Sequence, residues 1–214
     1  MLPSTLPLFP LPNVVLFPSV FLPLHIFEPR YRQMVRDALA GDRMIGMTLL
    51  KPGFEADYEG RPPTYDVGCA GLITHAERLA DGRFNIILRG IDKFAVIGEE
   101  EPMSDVLYRR GLITPLNESV GAADRAPLHD ARGKLEALLA PVLEGQSVDK
   151  HLPPAMADDD LVNALAQYLD FEPLEKQALL ERPGPLARCQ SMIELLEMRA
   201  LILRTQGERG GHVH

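Results

Sequence analysis

Few side chains able to do chemistry stand at spacings that would let them do it. His25, His75, His129 and His151 are scattered, and none has the H-E-x-x-H spacing that aims two imidazoles from one helix face at a zinc ion. Gly41 to Thr48 has the glycine spacing of a phosphate-binding loop, but Met47 occupies the position of the lysine that reaches the β- and γ-phosphates. That segment also follows a helical stripe instead of joining a strand to a helix, so we reject nucleotide binding there. Ser19 and Ser191 lie outside any G-x-S-x-G elbow. The runs Glu99-Glu100-Glu101 and Asp158-Asp159-Asp160 read as solvated faces and helix caps, not as paired catalytic carboxylates. Cys69 and Cys189 read as small core hydrophobes in a reducing compartment. No catalytic residue, metal ligand or cofactor is expected.

What remains is recognition. Residues 51–66, KPGFEADYEGRPPTYD, lack periodicity and carry Phe54, Tyr58 and Tyr65. Loops of that length inside a compact domain are often functional, and aromatic rings bury large areas at low entropy cost. With Met44 on the adjoining strand, these four are the candidate peptide-binding residues. The competing reading folds the rings back onto the sheet as a satellite cluster.

The elements that position this loop come from the proline-punctuated opening. No charge precedes Glu28, yet Pro3, Pro7, Pro10, Pro12, Pro18 and Pro23 exclude a membrane helix, since each interior proline costs a helix about 3 kcal/mol or more. No basic residue precedes the apolar run, so it is not read as a secretion signal. Leu6 to Phe9, Val14 to Phe17 and Val20 to Ile26 are strand-length pieces. Pro29 opens a helix with the stripe Tyr31, Met34, Val35, Ala38 and Leu39, stopped at Gly41. Arg43 to Leu50 reads as a buried strand. Cys69 to Arg78 and Arg83 to Leu88 form a hairpin about Asp81-Gly82, with Lys93 to Ile97 and Val106 to Thr114 following. Six to eight short strands with one helix predict a bent sheet or pseudo-barrel. After the small-residue linker 117–127, apolar stripes predict helices only.

The expected class is therefore α+β, with a β-rich subdomain over 1–116, a helical bundle over 128–205 and a disordered tail over 206–214. A net charge of −8 opposes general nucleic-acid binding, which rests on Lys and Arg neutralising phosphates. Arg30, Arg32 and Arg36 are read as a solvated face of the first helix.

The stretch Leu22-Pro23-Leu24-His25-Ile26-Phe27-Glu28-Pro29-Arg30-Tyr31 resembles the opening of the N-terminal domain of the Lon protease family. GCAGLITHAERLADGRFNIILRGIDKFAV resembles the hairpin signature of that family, and LVNALAQYLDFEPLEKQALLE resembles its helical half. The resemblance runs from Leu6 to about Leu203. It implies a stand-alone, PUA-like substrate-binding domain without the ATPase and peptidase modules. The implied function is non-catalytic: binding exposed hydrophobic segments of unfolded or damaged proteins, or acting as an adaptor to a protease or chaperone. Neither nucleic acid nor membrane is an expected partner, and the expected location is cytoplasmic. A small-molecule enzyme using a cleft between the subdomains and an RNA-binding PUA-like domain are the alternatives.

Overall fold

In the computed structural model the described residues are 2–58, 60–144 and 156–210. Six strands make one sheet: β1 (Thr5–Leu11), β2 (Phe21–Ile26), β3 (Met44–Leu49), β4 (Val67–Arg78), β5 (Phe84–Glu99) and β6 (Arg109–Leu116). The helices are α1 (Pro29–Ala40), α2 (Arg125–Glu144), α3 (Asp158–Tyr168), α4 (Pro173–Leu180) and α5 (Pro185–Gly210).

The sheet closes on itself. Its order is β2-β5-β4-β3-β1-β6, and β5 also pairs with β6, which completes a ring of β5, β4, β3, β1 and β6. β1 and β3 run parallel, with Leu8 opposite Gly46, and the other pairs are antiparallel. β5 can serve three neighbours because it is long, 16 residues, and its pairing with β4 shifts register between Gly90 and Lys93. A Cβ at Gly90 would lie 2.0 Å from the Phe17 carbonyl oxygen, so only glycine lets the 17–20 turn approach. Inside the ring Leu6, Leu8, Ala70, Phe94 and Ile113 form a buried cluster.

Local chemistry explains where the expected strands changed. Val14 to Phe17, buried from Val15 on, is not a strand, since Pro12 and Pro18 remove ladder donors at both sides. The Phe17 N–H donates to Gln167 Oε1 at 3.2 Å instead. The hairpin loop differs as well. Only Gly82 of the Asp81-Gly82 pair has positive φ, +81°, and the Gly82 N–H donates to the Leu79 carbonyl at 2.9 Å. The link is thus a turn over Leu79–Gly82 ending in a left-handed glycine, not a two-residue hairpin loop.

β2 is the outer strand beyond the ring, bonded to β5 from Phe21–Arg89 to Ile26–Phe84. Its free side is not a bare ladder. Pro23 has no N–H to offer, and the Phe21 carbonyl accepts from the Tyr168 hydroxyl at 2.9 Å.

The chain forms two compact units. The first is Met1–Glu118 together with Asn163–Glu181, and the second is Ser119–Val162 together with Arg182–His214. The expected division put the sheet and one helix in 1–116 and a helical bundle in 128–205, whereas the compact units follow the contacts. Residues 163–181 belong with the sheet, and polar anchors explain why. The buried Lys93 Nζ donates to the Leu180 carbonyl at 2.7 Å, at the negative end of α4, and pairs with Glu118 at 2.5 Å. Gln177 Nε2 donates to the Val67 carbonyl at 3.0 Å. A buried cation needs such partners, because an unpaired one is strongly destabilising. α4 itself starts on Pro173, with a reciprocal Glu172–Glu175 capping box.

In the second unit Leu128, Leu135 and Leu139 of α2 are buried, and so are Cys189, Met192 and Ile193 of α5. Arg132 joins Glu136 at 2.9 Å and Asp158 at 2.7 Å. Burial raises the Cys189 thiol to about 11, with Asp158 adding to it, so the thiol stays protonated and behaves as a hydrophobe. α5 extends to Gly210, into the stretch expected as a tail; residues 211–214, with His212 and His214, lie outside the described residues. No helix among the described residues is long and apolar enough to cross a membrane.

Candidate functional site

A hollow of about 240 Å³ opens in the first unit between two loops, 51–66 and 100–108. Leu8 and Pro10 of β1, Tyr31 of α1 and Leu50 give it an apolar floor. Tyr58, Arg61 and Pro62 form one wall, Val106, Leu107 and Tyr108 the other, and Arg30 and Arg109 also line it. A second, shallower hollow of about 340 Å³ lies over Pro23, His25, His75 and Ile87 on the face of β2, β4 and β5.

The first wall is strapped from both sides. In the first turn of α1, the Arg30 guanidinium lies 4.6 Å from the Tyr31 ring centre and 5.0 Å from that of Tyr58. It pairs with Glu28 at 2.9 Å and donates to the Tyr58 carbonyl at 3.2 Å. The Tyr58 hydroxyl donates to Glu28 Oε1 at 3.1 Å. Burial and the Glu28 charge both raise the Tyr58 phenol, which keeps it a neutral donor. On the other side Glu99 is shared by Arg61, at 3.0 Å, and Arg109. Burial works against the charge of Glu99, but the hydrogen bonds and charges of Arg109 and Arg61 outweigh it and hold the carboxyl below its usual range. Arg109 Nη1 also donates to the Pro62 carbonyl at 2.7 Å. At the loop base Leu50 bridges Thr64, and the Lys51 N–H donates to Pro63 at 2.8 Å.

The second wall hangs from α1. Gln33 Nε2 donates to the Asp105 carbonyl at 2.6 Å, and its Oε1 accepts from the Leu107 N–H at 2.8 Å. One side chain thus imitates a strand neighbour. The Tyr108 hydroxyl donates to Asp37 at 3.1 Å, while Met103 and Leu107 stay exposed, Leu107 by 60 %.

The structure brings together two of the four candidate residues. The Phe54 and Tyr58 rings lie 6.0 Å apart and both are half-buried. Tyr65 stands at the loop base under Lys51, whose Nζ is 5.7 Å from the ring centre. Met44 does not adjoin the loop. It begins β3, opposite Leu72, and packs on the ring core, whereas the loop leaves from the Leu49–Leu50 end of that strand. Composition and periodicity missed Gln33, Arg61, Leu107 and Arg109. A usable signal existed: Glu99-Glu100 and Arg109-Arg110 flank a proline-containing stretch, as complementary pairs on adjacent strands do. Those glutamates, read as a solvated run, are ion-paired, Glu100 with Arg110 at 2.6 Å.

Chemically, the hollow is suited to holding a ligand. Among the described residues no His, Cys, Ser, Asp or Glu lines it. Burial raises the Tyr31 phenol far above its ordinary value, so it is no base at neutral pH. His25 sits on the outer strand, its Nδ1 2.8 Å from Asn85 Oδ1, and His129 is 3.2 Å from Asp158. His151 lies outside the described residues. No group of three His, Cys, Asp or Glu among the described residues could hold a metal ion.

The same fold occurs in solved structures. The N terminal domain of Mycobacterium avium complex Lon protease superposes with a TM-score of 0.68 at 14% identity, covering 90% of this chain and 98% of that one. A Lon N-terminal domain protein from Xanthomonas campestris gives 0.60 at 22%, covering 89% and 98%. Among curated relatives, the chain is 28% identical over 223 residues to a Lon protease of Trichlorobacter lovleyi, covering 97% of this chain and 25% of that protein. It is 24% identical over 211 residues to Lon protease 2 of Myxococcus xanthus, covering 95% and 24%. The chain spans about a quarter of the length of these relatives. Residues 5–198 match the model of the ATP-dependent protease La (LON) substrate-binding domain, and the chain belongs to that family.

Proposed function

We propose that this chain is a non-catalytic recognition module that engages exposed apolar segments of unfolded or damaged proteins. Handing them to a protease or chaperone as an adaptor is part of the same proposal. The match of a substrate-binding family model to residues 5–198 carries this reading. The hollow supports it: an apolar floor, aromatic walls and the exposed side chains of Met103 and Leu107 beside it suit an extended apolar peptide. Tyr58 stands in the docking wall in this proposal, with Phe54, beside it, and Tyr65 as outer contacts. Met44, packed on the ring core, is left out. The pseudo-barrel likeness to PUA domains rests on the closed five-strand ring.

The test is binding to an unfolded model protein. Phe54→Ala with Leu107→Ala should weaken it roughly thirty-fold, about 2 kcal/mol, while sparing the melting temperature. Unchanged binding with a lowered melting temperature would assign those side chains to packing. The purified protein is also expected to hydrolyse neither ATP nor casein, since Met47 replaces the phosphate-loop lysine and no nucleophile or base lines the hollow among the described residues. Hydrolysis abolished by one point substitution in this chain would defeat the non-catalytic half of the proposal.

A further inference from the structure

A chain with a net charge of −8 has placed three arginines, Arg30, Arg61 and Arg109, around one hollow that no acidic side chain lines among the described residues. Two carboxylates lie behind them: Glu28 pairs with Arg30, and Glu99 serves both Arg61 and Arg109. A third carboxylate, Asp57, accepts from the Arg61 backbone N–H at 3.2 Å, so the distinction among the arginines lies in their unused donors. Arg30 is held by Glu28 and the Tyr58 carbonyl, and Arg109 by Glu99 and the Pro62 carbonyl. Arg61 uses Nη2 alone, toward Glu99 and the Glu100 carbonyl, and its Nε and Nη1 form no hydrogen bond among the described residues. The Arg61 side chain is 40 % exposed, so a ligand can reach it.

We infer that the hollow selects peptide segments in which an apolar side chain stands next to a carboxylate, with Arg61 taking the carboxylate. The inference rests on the peptide-binding reading above and adds the chemical class of the segment. The carboxylates of Glu99, Glu100 and Asp57 around Arg61 disfavour the near-dianion of a phosphate more than a monoanion. A carboxylate oxygen can accept a charge-assisted hydrogen bond from a free Arg61 donor, and the neighbouring floor of Leu8, Pro10 and Leu50 takes the apolar group. A volume near 240 Å³ suits one or two side chains and falls below the range of cofactor pockets, about 300–1,000 Å³. The carboxylate can come from a chain terminus or from an Asp or Glu side chain. Both present the same group.

The experiment is fluorescence anisotropy with one short leucine- and phenylalanine-rich peptide in four forms: free C-terminal acid, C-terminal amide, amide with one internal glutamate, and amide with one internal phosphoserine. We expect the free-acid or the glutamate form to bind about tenfold more tightly than the plain amide, and the stronger of the two identifies the source. Arg61→Gln should erase that preference, so that acid, glutamate and amide forms bind alike, whereas Arg61→Lys should keep part of it. Equal binding of acid, glutamate and amide forms to the wild-type chain overturns the inference without needing a variant to fold. So does a preference that survives Arg61→Gln, or phosphoserine binding tighter than glutamate. If the amide binds and the acid adds nothing, only this inference fails. If no form binds, the recognition reading fails with it.

Discussion

The two walls of the hollow are built on opposite plans. Loop 51–66 is pinned at several separate points: by Glu28 and Arg30, by Glu99 through Arg61, by Arg109, and by backbone bonds at its base. Loop 100–108 is held to α1 through Gln33 and Tyr108, and it carries the exposed Met103 and Leu107. Segments with few buried contacts and exposed hydrogen bonds occupy the low end of local stability. The comparison assigns shape to the first wall and adaptability to the second.

The largest expected effect should come from breaking the first wall. Arg109→Ala leaves the half-buried Glu99 without its main partner, and removing one member of a buried pair costs about 3–5 kcal/mol. Because the Arg109 side chain is 13 % exposed, we expect a loss near the low end, read as a clear fall in melting temperature. An unchanged melting temperature would show that the first wall does not depend on this pin.

Acid should act on the same wall. The folded state holds the Glu99 carboxyl below its ordinary range, so this group stabilises the fold above that range and the contribution is lost as pH falls through the lowered value. Stability should therefore drop below about pH 4, the usual carboxylate region, and Glu99→Gln should flatten that part of the profile. Denaturant midpoints of the two proteins across acidic pH check this, and parallel profiles would remove Glu99 from the account.

A smaller effect, and a more selective one, is expected in the second wall. Gln33→Ala removes the acceptor of the Leu107 N–H, so exchange at that amide should speed up by about five- to tenfold, corresponding to roughly 1 kcal/mol for one hydrogen bond. The Lys51 amide, bonded to Pro63 in the first wall, should keep its rate. Equal acceleration at both amides would mean that the walls move as one and that the comparison is mistaken.

Much of the frame was legible in the chain. Pro29, the stripe Tyr31, Met34, Val35 and Ala38, and Gly41 mark α1, and the alternation around Gly82 marks the hairpin. Those signals are local, set by backbone restriction and side-chain period. The ring closure was not legible, because the β5–β6 pairing depends on one strand being long enough to serve two sets of neighbours. Nor was the packing of 163–181, which is decided by Lys93 meeting Leu180 and Gln177 meeting Val67 across long sequence separations. The site was half legible. Phe54 and Tyr58 could be picked by residue type, but Arg61 and Arg109 matter only once Glu99 brings them together.

The outer strand has a consequence of its own for a module proposed to handle unfolded chains. Sticky, extended polypeptide is what an open sheet margin captures and polymerises, one added strand templating the next. Pro23 withholds a donor from that margin and Tyr168 occupies the Phe21 carbonyl, so β2 makes a poor seed. We expect Pro23→Val with Tyr168→Phe to convert the protein into a slow nucleator of fibrils in the presence of unfolded client, followed by dye binding and light scattering. A double variant that stays clear at high concentration would show that the margin is protected by something other than these two residues.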